Sequence, residues 1–288
     1  MARTVYVNGS FLPYEEASIP IMDRGFLFAD GIYEVSAVID GRLVDNEAHL
    51  ARLDRSLGAL RIRNPHGRDE WVRLEEEMVR RNDLREGLVY MQVTRGVADR
   101  DFAFPKDVEP TVVMFTQAKA MVDSPVARTG ASVVTVEDLR WKRRDIKSVA
   151  LLAQVLAKQA AAEAGVFEAW MVEDGYVTEG SSSTAFIITT DRRIVTRPLS
   201  NAVLPGITRI AVMRLAGEEN LTIEERLFSV AEAHGAAEAF LTSATSLVMP
   251  VVRIDDRIVG DGAPGPLSRR LRDLYLDAAR ERPAAVAA

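Results

Sequence analysis

The chain has 288 residues and is 48% hydrophobic and 27% charged, an ordinary globular balance that excludes a largely disordered protein and allows about two domains. Its net charge of −6 offers no general attraction for phosphate backbones, and the absence of cysteine excludes disulfides, zinc–thiolate sites, iron–sulfur clusters and cysteine nucleophiles. No apolar run approaches the ~20 residues of a membrane span and the N-terminus carries no apolar leader, so the reading is a cytoplasmic protein with neither nucleic acid nor membrane as partner.

In chain order, Thr4-Val5-Tyr6-Val7 reads as a strand entering an Asn8-Gly9 turn. Asn8-Gly9-Ser10 also fits a glycosylation sequon, but Asn-Gly is the commonest hairpin turn and nothing indicates secretion. Residues 33–39 read as a strand, with Asp40-Gly41 turning into Arg42-Leu43-Val44. Asn46 can cap a helix that carries Leu50, Leu53, Leu57 and Leu60 on one face, and Asp69 can cap a second that runs to about Asn82. Strands follow over 88–94 and 111–116. Residues 119–130 have no period and contain Pro125, so they are predicted to link a small N-terminal α/β domain (1–118) to a larger C-terminal, β-barrel-like domain with helices (131–288). There the pattern predicts strand at 131–136, a long helix over 148–164 ending at Gly165, and strands over 168–172, 184–189 and 193–196. A helix runs from about Gly206 to Asn220, strands at 221–226, 238–242 and 247–254 surround a short helix near 229–235, and a last helix over 266–281 precedes an Ala-rich, frayed end. The class is α/β or α+β.

Gly260-Asp261-Gly262-Ala263-Pro264-Gly265 matches a dinucleotide pattern, but too little chain follows for the second strand and its acidic residue. His49, His66 and His234 lie far apart without metal-ligand spacing and read as surface or capping residues, so no metal is expected. Arg140, Lys142, Arg143 and Arg144 read as a solvated basic run. Lys147 follows them at the edge of an apolar helix, where a desolvated lysine can attack carbonyls. Thr178-Glu179-Gly180-Ser181-Ser182-Ser183 sets one carboxylate and several hydroxyls on a bend, and Leu204-Pro205-Gly206-Ile207-Thr208-Arg209 opens a helix whose amides suit a phosphate. Thr242-Ser243-Ala244-Thr245 is a second hydroxyl-rich turn.

These segments, with Asp23-Arg24-Gly25-Phe26-Leu27-Phe28-Ala29-Asp30-Gly31-Ile32-Tyr33-Glu34 and Asp145-Ile146-Lys147, stand in the order and spacing of fold-type IV pyridoxal-phosphate aminotransferases. The chain most resembles the bacterial D-amino-acid aminotransferases, over nearly its whole length. The resemblance implies the two-domain fold, pyridoxal 5'-phosphate as cofactor, and transfer of an amino group from a D-amino acid such as D-alanine to a 2-oxo acid such as 2-oxoglutarate. It implies that Lys147 holds the cofactor as a Schiff base and moves the proton, and that Glu179 faces the pyridine nitrogen. Arg52 matches the phosphate arginine, Ile207 and Thr208 the helix end at the phosphate, and Ser243 and Ala244 the second phosphate turn. Leu204 matches the residue packed near the ring, and Ser182 stands among the cofactor contacts. Tyr33 matches a tyrosine at the substrate carboxylate, and Arg100 an arginine that enters the neighbouring active site of a homodimer.

Three departures concern the substrate. Phe102 stands where well-known members have a histidine beside the substrate carboxylate, Ala244 where many have threonine, and Leu247 where an acid is frequent. On the same framework the alternatives are an (R)-selective amine transaminase and an aminodeoxychorismate lyase. From another class, a non-catalytic cofactor-binding protein is opposed by the intact Lys147 and Glu179, and a dinucleotide oxidoreductase rests on the Gly260 loop alone.

Overall fold

A computed structural model of the chain describes residues 3–280. The chain forms two compact units, one of residues up to 120 together with 146–151, the other of 121–145 with 152 onward.

The first unit contains β1 (Thr4–Val7), β2 (Ser10–Pro13), α1 (Arg24–Phe28), β3 (Gly31–Ile39), β4 (Arg42–Leu43), α2 (Asn46–Leu60), α3 (Arg68–Arg81), β5 (Gly87–Thr94) and β6 (Thr111–Ala118). Its six strands form one sheet in the order β2-β1-β6-β5-β3-β4. Strand period explains the two faces. Val89, Met91 and Val93 of β5 and Ile32 and Val38 of β3 join Leu53 and Leu57 of α2 and Trp71, Leu74 and Met78 of α3 in one core. The alternate positions place Tyr33, Tyr90 and Phe115 in a stacked row on the other face, with ring centroids 5.6 and 4.6 Å apart.

The second unit contains α4 (Pro125–Thr129), β7 (Ala131–Glu137), α5 (Leu152–Glu163), β8 (Glu168–Glu173), β9 (Tyr176–Gly180), β10 (Thr184–Ile188), β11 (Ile194–Thr196), α6 (Ile207–Glu218), β12 (Ile223–Glu225), α7 (Val230–His234), β13 (Glu238–Ser243), β14 (Leu247–Ile254), β15 (Arg257–Ile258) and α8 (Pro266–Arg280). The sheet runs β12-β11-β10-β13-β14-β7-β8-β9, with β15 beside β14. It curls so that β9 also approaches β10, which yields the expected barrel-like half. Phe186 and Phe240 stack at 4.5 Å in its interior, and Trp170 and Phe228 meet edge to face.

Several expectations are corrected. The predicted linker contains α4, whose Pro125 sits where a helix tolerates proline, in its first turn. The predicted helix over 148–164 begins only at Leu152. Residues 146–149 instead run along the open edge of β3: the Tyr33 amide donates to the Lys147 carbonyl at 2.9 Å and the Val149 amide to the Gly31 carbonyl at 3.1 Å. Edge pairing satisfies backbone groups that a helix would have used, and buried Ile146 anchors the segment in the first unit's core. Residues 146–151 therefore leave the C-terminal domain to which the sequence assigned them. Asp45, in left-handed backbone, precedes α2 in the place expected for Asn46, and Gly67 precedes α3 in the place expected for Asp69. His49 is fully interior and bonded to Glu34, because β3 presents a carboxylate to it. The Gly260 loop leads into α8, but the amides of Leu267 and Ser268 are capped by Glu238 at 3.0 and 2.8 Å. A carboxylate thus holds the helix end that a dinucleotide phosphate would need. Residue 281 and the Ala-rich end lie outside the described residues.

Candidate active site

In the first unit, Lys147 is carried on extended backbone at the start of β3, where the neighbouring strand is missing. Its Nζ lies 4.1 Å from the centre of the Tyr33 ring, a cation–π arrangement that holds the amine on the aromatic face. Its amide meets the Ser56 hydroxyl of α2 at 3.4 Å. Arg52, one turn earlier on α2, makes a two-pronged ion pair with Glu34 at 2.8 Å for both bonds. His49 Nδ1 lies 2.9 Å from the same carboxylate. Burial opposes charge on Glu34, but Arg52 and then His49 hold its carboxyl far below the ordinary value. Burial lowers His49 more than Glu34 raises it, so the ring is neutral and donates its Nδ1 proton to the carboxylate. Glu34 thereby orients Arg52 from below.

Arg100 and Phe102 sit on the loop after β5. The Arg100 guanidinium lies 5.3 Å from the Phe28 ring and 5.5 Å from the Phe102 ring. Phe102 is 77% exposed. Arg24, buried at the start of α1, donates to the Asp101 carbonyl at 2.6 Å and to Asp30 at 2.8 Å. Arg95 grips Asp30 with two bonds of 2.7 and 2.9 Å.

In the second unit, Glu179 is the last residue but one of β9 and is 4% exposed. Arg140 donates to its Oε1, and the Leu204 amide lies 3.2 Å from both carboxylate oxygens. Burial pushes the Glu179 carboxyl above its ordinary value against the pull of Arg140 and of that amide. Burial also disfavours charge on Arg140, yet its bonds to Asp138 and the charge of Glu179 raise it above an ordinary arginine. Arg140 therefore stays charged behind Glu179. Arg144 is likewise interior, at 3.0 and 2.8 Å from the oxygens of Glu173. The basic run is thus half buried machinery rather than a solvated face.

Leu204 leads into Gly206 and then α6, whose first turn has no side-chain cap. Ile207 and the Thr208 side chain are buried there. A Cβ on Gly206 would come 2.8 Å from Thr184 Oγ1, so a larger residue there would force a shift. Thr184 pairs across the sheet with Thr242, whose buried hydroxyl has no partner. Ser243 follows as the last residue of β13, at the edge of the β13–β14 turn, and its hydroxyl accepts the Ser246 amide at 3.0 Å. Ala244 is half-buried in that turn. Glu179, Leu204, Ile207, Thr208 and Ser243 therefore gather at one end of this unit's sheet. Ser182 does not join them by its proton, since its hydroxyl donates to Glu168 at 2.9 Å. No cluster of metal-ligating side chains and no helix long and apolar enough to cross a membrane occurs among the described residues.

The sequence profile of the family described as amino-transferase class IV matches residues 31–254. The D-alanine aminotransferase of Staphylococcus aureus (strain MSSA476) is 38% identical over 272 residues, which cover 93% of this chain and 95% of that protein. The D-alanine aminotransferase of Bacillus licheniformis is 38% identical over 268 residues, covering 93% and 94%. Among solved structures, a T.th. branched-chain amino acid aminotransferase complexed with N-(5'-phosphopyridoxyl)-L-glutamate is similar at a TM-score of 0.89 and 26% identity, covering 98% of this chain and 96% of that one. The Escherichia coli branched-chain enzyme is similar at 0.90 and 21% identity, covering 97% and 95%, a likeness of fold alone.

Proposed function

As the chain belongs to the class IV aminotransferases, enzymes that use pyridoxal 5'-phosphate, we propose that it transfers an amino group from a D-amino acid such as D-alanine to a 2-oxo acid such as 2-oxoglutarate. The observation that carries the D-amino acid is the 38% identity to D-alanine aminotransferases over 93% of the chain. The residues present fit the cofactor. They offer an amine in Lys147, an arginine-backed carboxylate in Glu179, an α6 end without a side-chain cap, and a buried Thr242 hydroxyl that lacks a partner.

Bound pyridoxal phosphate supplies an electron sink for the carbanion left when Cα loses its proton. Lys147 would hold the cofactor by its amine and, once freed by the substrate, would take the proton from Cα and deliver it to the cofactor's C4′ carbon. Glu179 would face the ring nitrogen, with Arg140 bonded to its Oε1 and pulling against the burial that raises its carboxyl. Arg52, fixed by Glu34, would bind the cofactor phosphate, as would the amides of Ile207 and Thr208 and the turn at Ser243 and Ala244. Leu204 would pack near the ring. Tyr33 and Arg100 receive the substrate carboxylate, with Arg100 entering the active site of the neighbouring subunit, so the working unit is a homodimer. Ser182 contributes as part of the turn rather than as a donor, because its single proton is already given to Glu168.

The test is the visible absorbance of the purified protein, mixed separately with D-alanine and L-alanine. A yellow protein bleached by D-alanine and not by L-alanine is expected. Bleaching by L-alanine alone overturns the D-amino acid, and bleaching by neither redirects the reading to (R)-amines or aminodeoxychorismate.

A further inference from the structure

Glu168 opens β8, is 1% exposed, and lies outside every role assigned above. Its carboxylate collects the hydroxyls of three consecutive residues. Ser181 donates to Oε1, and Ser182 and Ser183 donate to Oε2 at 2.9 and 3.3 Å. The Ala169 amide adds a bond of 2.9 Å to Oε1, and Lys158 Nζ lies 3.5 Å from it. Hydroxyls of three successive residues rarely point to one acceptor unless the backbone that carries them is wound around it.

The backbone is wound in that way. The Gly180 amide donates to the Ser183 carbonyl at 2.6 Å and the Ser181 amide to the Ala169 carbonyl at 2.9 Å. Gly180 faces Trp170 across the β8–β9 pair, and a Cβ on Gly180 would collide with the Ser183 hydroxyl. This turn begins one residue after Glu179. The Glu179 carboxylate is thus held from two sides: Arg140 and the Leu204 amide grip its oxygens, and Glu168 fixes the turn that sets its backbone.

We propose that Glu168 is a positioning residue, which acts through the Ser181–Ser182–Ser183 hydroxyls to aim the Glu179 carboxylate at the cofactor ring. The proposal rests on the reading of Glu179 as the carboxylate at the ring nitrogen. Supports of this kind set the geometry of a functional group without touching the ligand.

The experiment titrates pyridoxal 5'-phosphate into the cofactor-free full chain. It records the dissociation constant and the pH midpoint of the bound yellow band for wild type, Glu168→Gln, Glu168→Ala, Ser182→Ala, Glu179→Gln and the Glu168→Ala/Glu179→Gln double variant. Glu168→Ala is expected to weaken binding roughly tenfold and to move the pH midpoint, while Glu168→Gln, which retains one acceptor oxygen, recovers most of the loss. In the Glu179→Gln background Glu168→Ala is expected to add little, because both act on one group. Ser182→Ala, at the more exposed hydroxyl, gives a smaller shift in the same direction and carries the test if Glu168→Ala does not fold. An unmoved band and affinity in the Glu168 variants, with Glu179→Gln effective, overturns this proposal alone. So do effects that simply multiply in the double variant. A wild type that takes up no cofactor, or a silent Glu179→Gln, overturns the Glu179 reading beneath it.

Discussion

At the scale of the residue, Phe102 stands beside Arg100 in the loop after β5. Its ring leans on Phe28 at 5.5 Å and flanks Arg100, yet it is largely exposed and offers no hydrogen bond. A histidine there would add a charge-assisted donor beside the arginine, worth on the order of 1.5–3 kcal/mol if the bond forms. Phe102→His is therefore expected to lower the KM for D-alanine by roughly tenfold with kcat little changed. Steady-state kinetics with D-alanine and two different 2-oxo acids check it, and an unchanged KM and acceptor preference would sink the idea. The same scale shows what residue identity leaves hidden. Lys147 and Glu179 stood out by their motifs, whereas the pairings of Glu34, His49 and Arg140 did not. Their importance comes from burial beside a partner, and their partners are 15, 15 and 39 residues away in the chain.

At the scale of elements, the segment from Asp23 to Glu34 is a brace. Asp23 caps α1 through the Gly25 amide at 2.8 Å and accepts the Thr94 hydroxyl at 3.0 Å. Arg24 ties α1 to the loop at Asp101, and its guanidinium lies 4.8 Å from the Phe28 ring. The loop that presents Arg100 is thus anchored on both sides of that residue's neighbours. Arg24→Gln removes the tie but leaves Asp30 its two bonds from Arg95. The expected result is a rise of roughly tenfold in the KM for the amino acid, with the yellow band and cofactor affinity unchanged. A lost band instead would mean that Arg24 supports the whole unit rather than the loop. Element boundaries were less legible than the elements. The α5 region has helical composition back to Ser148, yet residues 146–149 pair with β3, because an open sheet edge can satisfy their backbone and a longer α5 would leave that edge bare.

At the scale of the molecule, folding stability should carry a pH signature from Glu75. This carboxyl lies in the core of α3, accepts the Ser36 hydroxyl at 2.9 Å, and leaves its second oxygen without a partner. Burial pushes it up from 4.5 to about 7. A raised acid is favoured neutral in the fold, so its contribution is full below its unfolded value and is lost as pH rises through about 7. Glu34 acts in the opposite sense: its depressed carboxyl stabilises above the unfolded value and stops doing so only in acid. Glu75→Gln, neutral at every pH, is expected to match wild type near pH 4.5 and to exceed it by roughly 1–3 kcal/mol at pH 8. Denaturant unfolding at a series of pH values checks this, and parallel stability curves for the two proteins would refute it.

The sequence by itself determined the alternation of strands and helices and the motifs that carry Lys147, Glu179 and the Gly206–Thr208 turn. These are local properties, written in side-chain period, turn residues and the spacing of short motifs. Only the tertiary structure decided that residues 146–151 return to the first unit, that Arg140 and Arg144 are interior, that His49 and Arg52 share Glu34, and that three serines close on Glu168. In each of these cases the deciding quantity is the desolvation of a polar group. That cost depends on which distant residue arrives to answer it, and no local pattern of the chain records that arrival.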